Sequence, residues 1–207
     1  MYARVVRVTG DPAKVDDGID AYQARVPSAL RELDGYAGAR LMVNRETGTG
    51  MSISFWQDEQ TLRASDSAIS GVRDETVSRF GATTPASENY EAAVQHRPQP
   101  TEQGNWVRVT SLEGDPAKVD DSIRHFESEV IPAISQLQGF RGAVLFVDRA
   151  TGKGIVGTIW NSKQDVEATA SQAAPIRASA AEVIGATNPQ VETFEVVFAE
   201  ALSPAER

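Results

Sequence analysis

Short runs of β-branched and aliphatic residues alternate along the chain with longer apolar stripes at helical spacing. Residues 3–8 form the first run. The stripe after them predicts an amphipathic helix, with apolar side chains three or four positions apart at Val15, Ile19, Tyr22, Val26, Leu30 and Leu33. After Gly35 the period falls to two, and two alternating runs around a glycine-rich turn predict a hairpin whose second strand is 51–56. With a second helical stripe and a closing strand at 88–94, the pattern predicts the order β-α-β-β-α-β.

The same pattern then occurs a second time. Residues 10–17 and residues 114–121 share the sequence GDPAKVDD, and this offset of 104 residues also aligns Trp56 with Trp160. A repeat of this length is a small domain and not a solenoid unit. The chain is therefore predicted to be a fused pseudo-dimer, with one repeat at 1–97, a Pro- and Gln-rich linker at 98–105 and a second repeat at 106–207.

The predicted fold class is α+β. Each repeat has the element order of a ferredoxin-like fold, a four-stranded sheet with two helices on one face. Two such sheets can bury their bare faces against each other, which gives a dimeric α/β barrel within a single chain. Because this interface is internal, we expect a monomer or homodimer in solution. Gly71 and Pro175 occupy equivalent positions in the second helix, and they predict an interruption of that helix in both repeats.

Composition and charge exclude several classes of binding partner and of catalytic site. The net charge is −9 and there is no Lys/Arg run, so nucleic acid and anionic membrane surfaces are disfavoured as partners. Cysteine is absent, which excludes disulfides, thiolate nucleophiles and thiolate metal sites. The first residues show neither a basic region nor an apolar core of a signal peptide, and the predicted location is the cytoplasm.

Several short motifs of the second repeat resemble the antibiotic biosynthesis monooxygenase family of the dimeric α/β-barrel group. They are VIPAI (130–134), GFRG (139–142), an Asp-Arg pair (148–149), a TGKG turn (151–154) and a strand that ends in Trp160. The first repeat has a weaker version, at 26–27, 35–38, Arg45 and Trp56. The resemblance implies a site between sheet and helices. Members include monooxygenases that oxidise polyphenolic or quinone-like aromatics without a cofactor, and haem-degrading enzymes.

The cofactor-free reaction requires a protein that holds an aromatic molecule, helps to remove a proton, stabilises an oxyanion and excludes water. The candidate substrate-binding residues are Trp56, Trp160, Arg73, Arg177, Tyr22, Tyr36, Ser52 and Ser54. The alternative interpretation of the two tryptophans is that each ring is buried in the hydrophobic core where strand meets helix. A buried arginine is a natural partner for an oxyanion or carboxylate, and Arg4 and Arg108 align on the first strand in the same way. No catalytic residue is assigned.

The first repeat is the better candidate for a working site, because the second replaces Tyr22, Tyr36 and Ser52 by Phe126, Phe140 and Val156. A cavity of a few hundred Å³ lined by Trp56 or Trp160, with a polar group pointing inward, would favour ligand binding.

No cofactor or metal is predicted. The haem-degrading relatives use a histidine of the second helix, whereas this chain has only His96 and His125, both elsewhere. The leading hypothesis is a protein that binds a small apolar or aromatic molecule and oxidises it without a cofactor. The alternative is a non-catalytic ligand-binding or scaffold module.

Overall fold

The computed structural model describes residues 1–82 and 85–200. The elements of the first repeat are β1 (Tyr2–Thr9), a 3-10 turn (Pro12–Lys14), α1 (Val15–Arg31), β2 (Tyr36–Asn44), β3 (Thr49–Trp56), α2 (Glu59–Arg79) and β4 (Ala86–His96). Those of the second are β5 (Trp106–Glu113), a 3-10 turn (Pro116–Lys118), α3 (Val119–His125), a π-helical turn (Phe126–Val130), α4 (Ile131–Ile134), β6 (Phe140–Val147), β7 (Lys153–Trp160), α5 (Lys163–Ala168), α6 (Ala170–Ile184) and β8 (Gln190–Ala199).

The shared GDPAKVDD sequence makes the same turn twice. The side chain of Asp11 accepts a hydrogen bond from the amide of Ala13 at 2.9 Å, and Asp115 accepts one from Ala117 at the same distance. Each aspartate caps a 3-10 turn whose first residue is proline. Proline has no N–H, but at this position an N–H would have no partner within the helix, so no hydrogen bond is lost. The turn therefore ends the first strand of each repeat and starts its first helix.

The strands form a closed barrel in the order β1-β3-β2-β8-β5-β7-β6-β4. The predicted hairpins are confirmed: β2 pairs antiparallel with β3, and β6 pairs antiparallel with β7. Within the barrel, the orders 4-1-3-2 and 8-5-7-6 are those of two ferredoxin-like repeats. The α+β barrel predicted from the sequence is confirmed.

The chain divides into two compact units. The first unit comprises Met1–Asn89 and the described residues from Val196 onward, and the second comprises Tyr90–Glu195. The repeats predicted from the sequence differ from these units in β4 and β8, because each of those strands has residues in both units. In the first unit, the amide of Glu200 donates a hydrogen bond of 2.9 Å to the carbonyl of Ala39 in β2. The predicted boundaries of the repeats stay a prediction, and residues 201–207 of the second repeat lie outside the described residues.

The interruptions predicted for the second helix are wrong in position. In the first repeat α2 runs without a break through Gly71. In the second repeat the break lies at Thr169, between α5 and α6, and Pro175 lies inside α6. Thr169 donates a hydrogen bond from its hydroxyl to the carbonyl of Asp165 at 2.7 Å, a contact that bends helices. Pro175 is exposed, so water can bind the carbonyl that loses its helical partner.

None of the helices in the described part of the chain is long and apolar enough to cross a membrane.

Candidate functional site

A cavity of about 60 Å³ lies in the first unit between strands and helices. β1 and β3 form its floor through three cross-strand pairs, Arg4 with Ser54, Val6 with Ser52, and Val8 with Gly50. Side chains of a strand alternate between its two faces, so every second residue of β1 and β3 reaches the cavity. The helices and β2 complete the lining with Tyr22, Val26, Leu30, Leu41, Ile69, Arg73, Thr76, Val77 and Phe80.

Tyr22 is the central polar group of this cavity. It is 3% exposed, and its hydroxyl has no hydrogen-bond partner among the described residues. Burial raises the pKa of Tyr22 to about 12; the nearby Ser52 hydroxyl lowers that pKa, but its geometry does not complete a hydrogen bond. Tyr22 therefore carries a proton at neutral pH, and its hydroxyl can donate that proton in a hydrogen bond to a ligand oxygen.

Two arginines form the charged wall of the cavity. Arg4 is 3% exposed, and its guanidinium donates to the Ser65 hydroxyl at 2.8 Å and to the Leu62 carbonyl at 2.7 Å. Arg73 donates to the carboxylate of Asp66 at 2.9 Å, which lies 3.7 Å from Arg4 as well. The hydrogen bond from Arg73 lowers the pKa of Asp66. The buried Nε of Arg73 has no partner among the described residues, so this N–H remains able to bind a ligand.

The candidate residues of the sequence analysis fall into two groups. Four of them, Tyr22, Ser52, Ser54 and Arg73, line the cavity of the first unit, and Arg177 lines a cavity of about 20 Å³ at the equivalent place in the second unit. Tyr36, Trp56 and Trp160 lie outside both linings. A cavity of a few hundred Å³ with a tryptophan in its wall would have favoured ligand binding, and neither of these two cavities, of about 60 and 20 Å³, meets that criterion. Apolar side chains of Ile69 and Val77 in α2, and of Phe80 after it, form the helix side of the larger cavity.

Trp56 lies beside the cavity, on the same face of β3 as Ser54. It is fully buried, and its indole N–H donates a hydrogen bond of 3.0 Å to Ser54, which does line the cavity. Trp160 makes the same contact with Thr158, also at 3.0 Å. Both tryptophans thus occupy the core position that the sequence analysis gave as the alternative, with the polar end of the ring satisfied by a hydroxyl two residues earlier.

Tyr36 belongs to a different cluster. Its hydroxyl donates a hydrogen bond of 2.6 Å to Glu200, which also accepts one of 2.7 Å from Arg31. Burial, together with the hydrogen bond to Glu200, raises the pKa of Tyr36. This arrangement leaves the Tyr36 hydroxyl engaged, in contrast to that of Tyr22.

Asp66 and Glu200 are not among the residues predicted from the sequence. Asp66 lies two helical turns before Arg73, a spacing that places both on one face of α2 and that could have indicated the pair. Glu200 meets Arg31 across 169 positions of sequence, and no local pattern indicates a contact of that range. In residues 1–82 and 85–200 there is no group of three or more His, Asp or Glu side chains that could hold a metal ion.

The lining of the second cavity differs from that of the first at several positions. Phe126, Val156 and Thr158 stand where the first unit has Tyr22, Ser52 and Ser54, and all three line the second cavity. Valine and threonine each add a methyl group to the floor, while Thr110 adds a hydroxyl where the first unit has a valine. The first unit has the larger of the two cavities, and its lining includes a tyrosine hydroxyl that the second lining lacks.

Comparison with known proteins agrees with this architecture. An uncharacterized protein of Mycobacterium tuberculosis is 30% identical over 204 residues, which cover 99% of this chain and 91% of that protein. Among solved structures, an anthrone oxidase-like protein superimposes with a TM-score of 0.73 at 18% identity, covering 99% of this chain and 94% of the other. A haem-degrading enzyme of Listeria monocytogenes superimposes with a TM-score of 0.53 at 8% identity, covering 93% and 98%. At these identities the two solved structures show the fold alone.

A family model provides the assignment. The model described as "Antibiotic biosynthesis monooxygenase" matches residues 1–68, which include β1, α1, β2, β3 and the first part of α2. These elements carry most of the cavity lining in the first unit. The chain belongs to the antibiotic biosynthesis monooxygenase family.

Proposed function

We propose that the first unit binds a small phenolic or enolic molecule in its cavity and oxidises it with O₂ without a bound cofactor. The observation that carries the proposal is the Tyr22 hydroxyl, which is buried without a partner among the described residues. A buried hydroxyl without a hydrogen bond costs about 1–3 kcal/mol of stability. A ligand oxygen placed beside it would recover that energy.

The size of the cavity limits the ligand. Its volume of about 60 Å³ is below the roughly 150 Å³ of a cavity known to take benzene, so an aromatic ring fits only if a lining side chain moves. Arg73 is suited to this movement, since its side chain is long and 19% exposed. A molecule of one or two rings therefore fits the proposal better than a fused tricycle such as anthrone.

The polar groups of the lining suit an anionic oxygen. The cations of Arg4 and Arg73 favour the deprotonated form of a phenol or enol, and the Tyr22 hydroxyl can donate a hydrogen bond to it. The apolar residues around them exclude water from the ring. The chain supplies binding, orientation and charge stabilisation at this site.

The electrons come from the substrate itself. A ring carbon of the bound anion gives electrons to O₂ and takes up oxygen as a hydroperoxide, and the loss of water leaves a carbonyl at that carbon. One oxygen atom enters the product and the other leaves as water, so the reaction needs no further reductant.

The residues of this chain do not fit a haem-degrading role. His96 stacks on Phe140 in the second unit, and His125 lies within 3.3 Å of the Ser179 hydroxyl. Neither histidine lines either of the two cavities. A haem placed in either cavity would therefore have no histidine as its axial ligand.

One observation favours the non-catalytic alternative. The residues that line the first cavity include no carboxylate and no imidazole, the groups that most often remove a proton. A carrier of aromatic molecules would use the same Tyr22 and Arg73 contacts without turnover. Binding and oxygen consumption must therefore be measured separately.

Changing Arg73 to methionine is expected to weaken the binding of phenol and 1-naphthol by about tenfold or more, because the ligand oxygen loses its cation. Calorimetric titration gives the affinity, and an oxygen electrode gives turnover with the same compounds. The matched control is Arg177→Met, the same change at the equivalent position of the second unit, which should leave the affinity unchanged.

Three results would count against parts of this proposal. Equal or tighter binding by the Arg73 variant would identify this side chain as a mere obstacle. Saturable binding without oxygen uptake would favour the carrier. Tighter binding of anthrone than of 1-naphthol would contradict the argument from cavity size.

A further inference from the structure

Two arginines of the second unit lie together without a carboxylate. Arg108 and Arg177 both line the cavity of about 20 Å³. Arg108 is 4% exposed; one end of its guanidinium donates to the Val166 carbonyl and lies 3.4 Å from the Thr169 hydroxyl. Its other terminal nitrogen, Nη1, is buried without a partner among the described residues, and so is Nη1 of Arg177. The N–H donors of two cations thus face a small space with no acceptor assigned to them.

In the first unit, the equivalent pair of arginines has a carboxylate beside it. Arg4 and Arg73 are the equivalent arginines, and the carboxylate of Asp66 lies 3.7 Å from the first and 2.9 Å from the second. The repeat offset places Ala170 at the position of Asp66. The second unit has therefore kept both cations and lost the anion.

The electrostatics of the pair point the same way. Burial lowers the pKa of Arg108 to about 10, and the charge of Arg177 acts on it in the same direction. Burial also lowers the pKa of Arg177. No carboxylate contributes to either shift, whereas in the first unit burial lowers the pKa of Arg4 and the charge of Asp66 opposes that shift. Two like charges that line one cavity repel each other, and an anion bound between them would relieve this repulsion.

We propose that the second unit binds a small carboxylate anion between Arg108 and Arg177, where the anion would bridge the two cations as the carboxylate of Asp66, itself 60% exposed and outside the cavity lining, bridges Arg4 and Arg73 in the first unit. A carboxylate matches the fork of a guanidinium and can accept from both cations at once. The cavity is the size of one or two water molecules, so it accepts the carboxylate of a molecule such as acetate and little more. Arg177 is partly exposed, which provides the route of entry from solvent.

The substitution Ala170→Asp tests this site, because it supplies the missing carboxylate within the chain. Ala170 is exposed and is the first residue of α6, where an aspartate is favourable, so the variant should fold. The wild type, titrated with sodium acetate at constant ionic strength, should show saturable shifts of the Val166 and Thr169 amide resonances. In Ala170→Asp the acetate affinity should fall by more than about tenfold, and the melting temperature without acetate should rise.

The reciprocal variant is Asp66→Ala. It removes the carboxylate from the first unit, and acetate should then also shift the amides of Leu62 and Ser65, which the wild type leaves unmoved. The proposal is overturned if the wild type shows no saturable acetate response at Val166 and Thr169. It is equally overturned if Ala170→Asp binds acetate as tightly as the wild type, or if chloride at the same ionic strength produces the full response.

Discussion

Replacing Trp56 with alanine is expected to lower the free energy of unfolding by about 3–5 kcal/mol, the usual range for a large aromatic side chain removed from a core. Trp56 has no exposed surface, and its ring meets the ring of Tyr36 edge-on at 5.8 Å between centroids. The variant also leaves Ser54 without the indole donor that binds it at 3.0 Å. Urea denaturation of the variant and the wild type gives the difference.

Trp160→Ala is the matched variant and should lose a similar amount. Trp160 is equally buried, meets Phe140 edge-on at 5.9 Å and lies 5.3 Å from the guanidinium of Arg108. The two variants should differ in ligand binding, because Ser54 lines the larger cavity and only Trp56 holds it. A fall of less than about 1 kcal/mol in either variant would contradict the core role assigned to these rings. Equal affinity for 1-naphthol in both variants would show that Trp56 does not help to form the ligand site.

Replacing Tyr22 with phenylalanine should have opposite effects on stability and binding. The variant loses a buried hydroxyl that has no partner among the described residues, so its free energy of unfolding should rise by about 1–3 kcal/mol. The second unit already has Phe126 at this position, so the ring without its hydroxyl fits the fold. Affinity for phenol should fall, by about tenfold, since the ligand oxygen loses a donor.

The control for this change is Phe126→Tyr in the second unit. It introduces a hydroxyl into the smaller cavity, where it would be buried beside apolar residues, and it should lower the melting temperature without affecting phenol binding. If Tyr22→Phe instead destabilised the protein and left the affinity unchanged, the hydroxyl would serve the fold and not a ligand.

Much of the fold could be predicted from local patterns. Alternation in β2 and β3, the Asp-Pro start of each first helix and the repeat offset of 104 residues were enough for the hairpins, the element order and the barrel class. The break at Thr169 could not be predicted, because no glycine or proline stands there, and the kind of hydrogen bond that its hydroxyl makes to Asp165 also occurs at Thr76 within the unbroken α2. β4 and β8 each have residues in both compact units, and this division could not be predicted because it depends on tertiary contacts and not on the local sequence.

The candidate site was predictable in part. Ser52 and Ser54 share one face of a strand, and Tyr22 lies on the apolar stripe of α1, so periodicity placed them near each other. Trp56 lies on the same face of β3 as these serines but is fully buried outside the cavity lining, and the period of two alone could not separate it from them. The sharing of Asp66 by two arginines involves a contact of 62 positions in sequence, and only the structure shows it.

The most direct test of the account is a titration of the protein with phenol, observed by NMR through ¹³C-labelled tyrosine rings. The chain has four tyrosines, and Tyr22→Phe identifies the resonance of Tyr22. We expect phenol to shift the Tyr22 resonance saturably, while that of Tyr36, whose hydroxyl already binds Glu200, moves little. A Tyr22 resonance that does not respond to phenol, or that responds no more than those of the other tyrosines, would contradict a ligand site in the first unit.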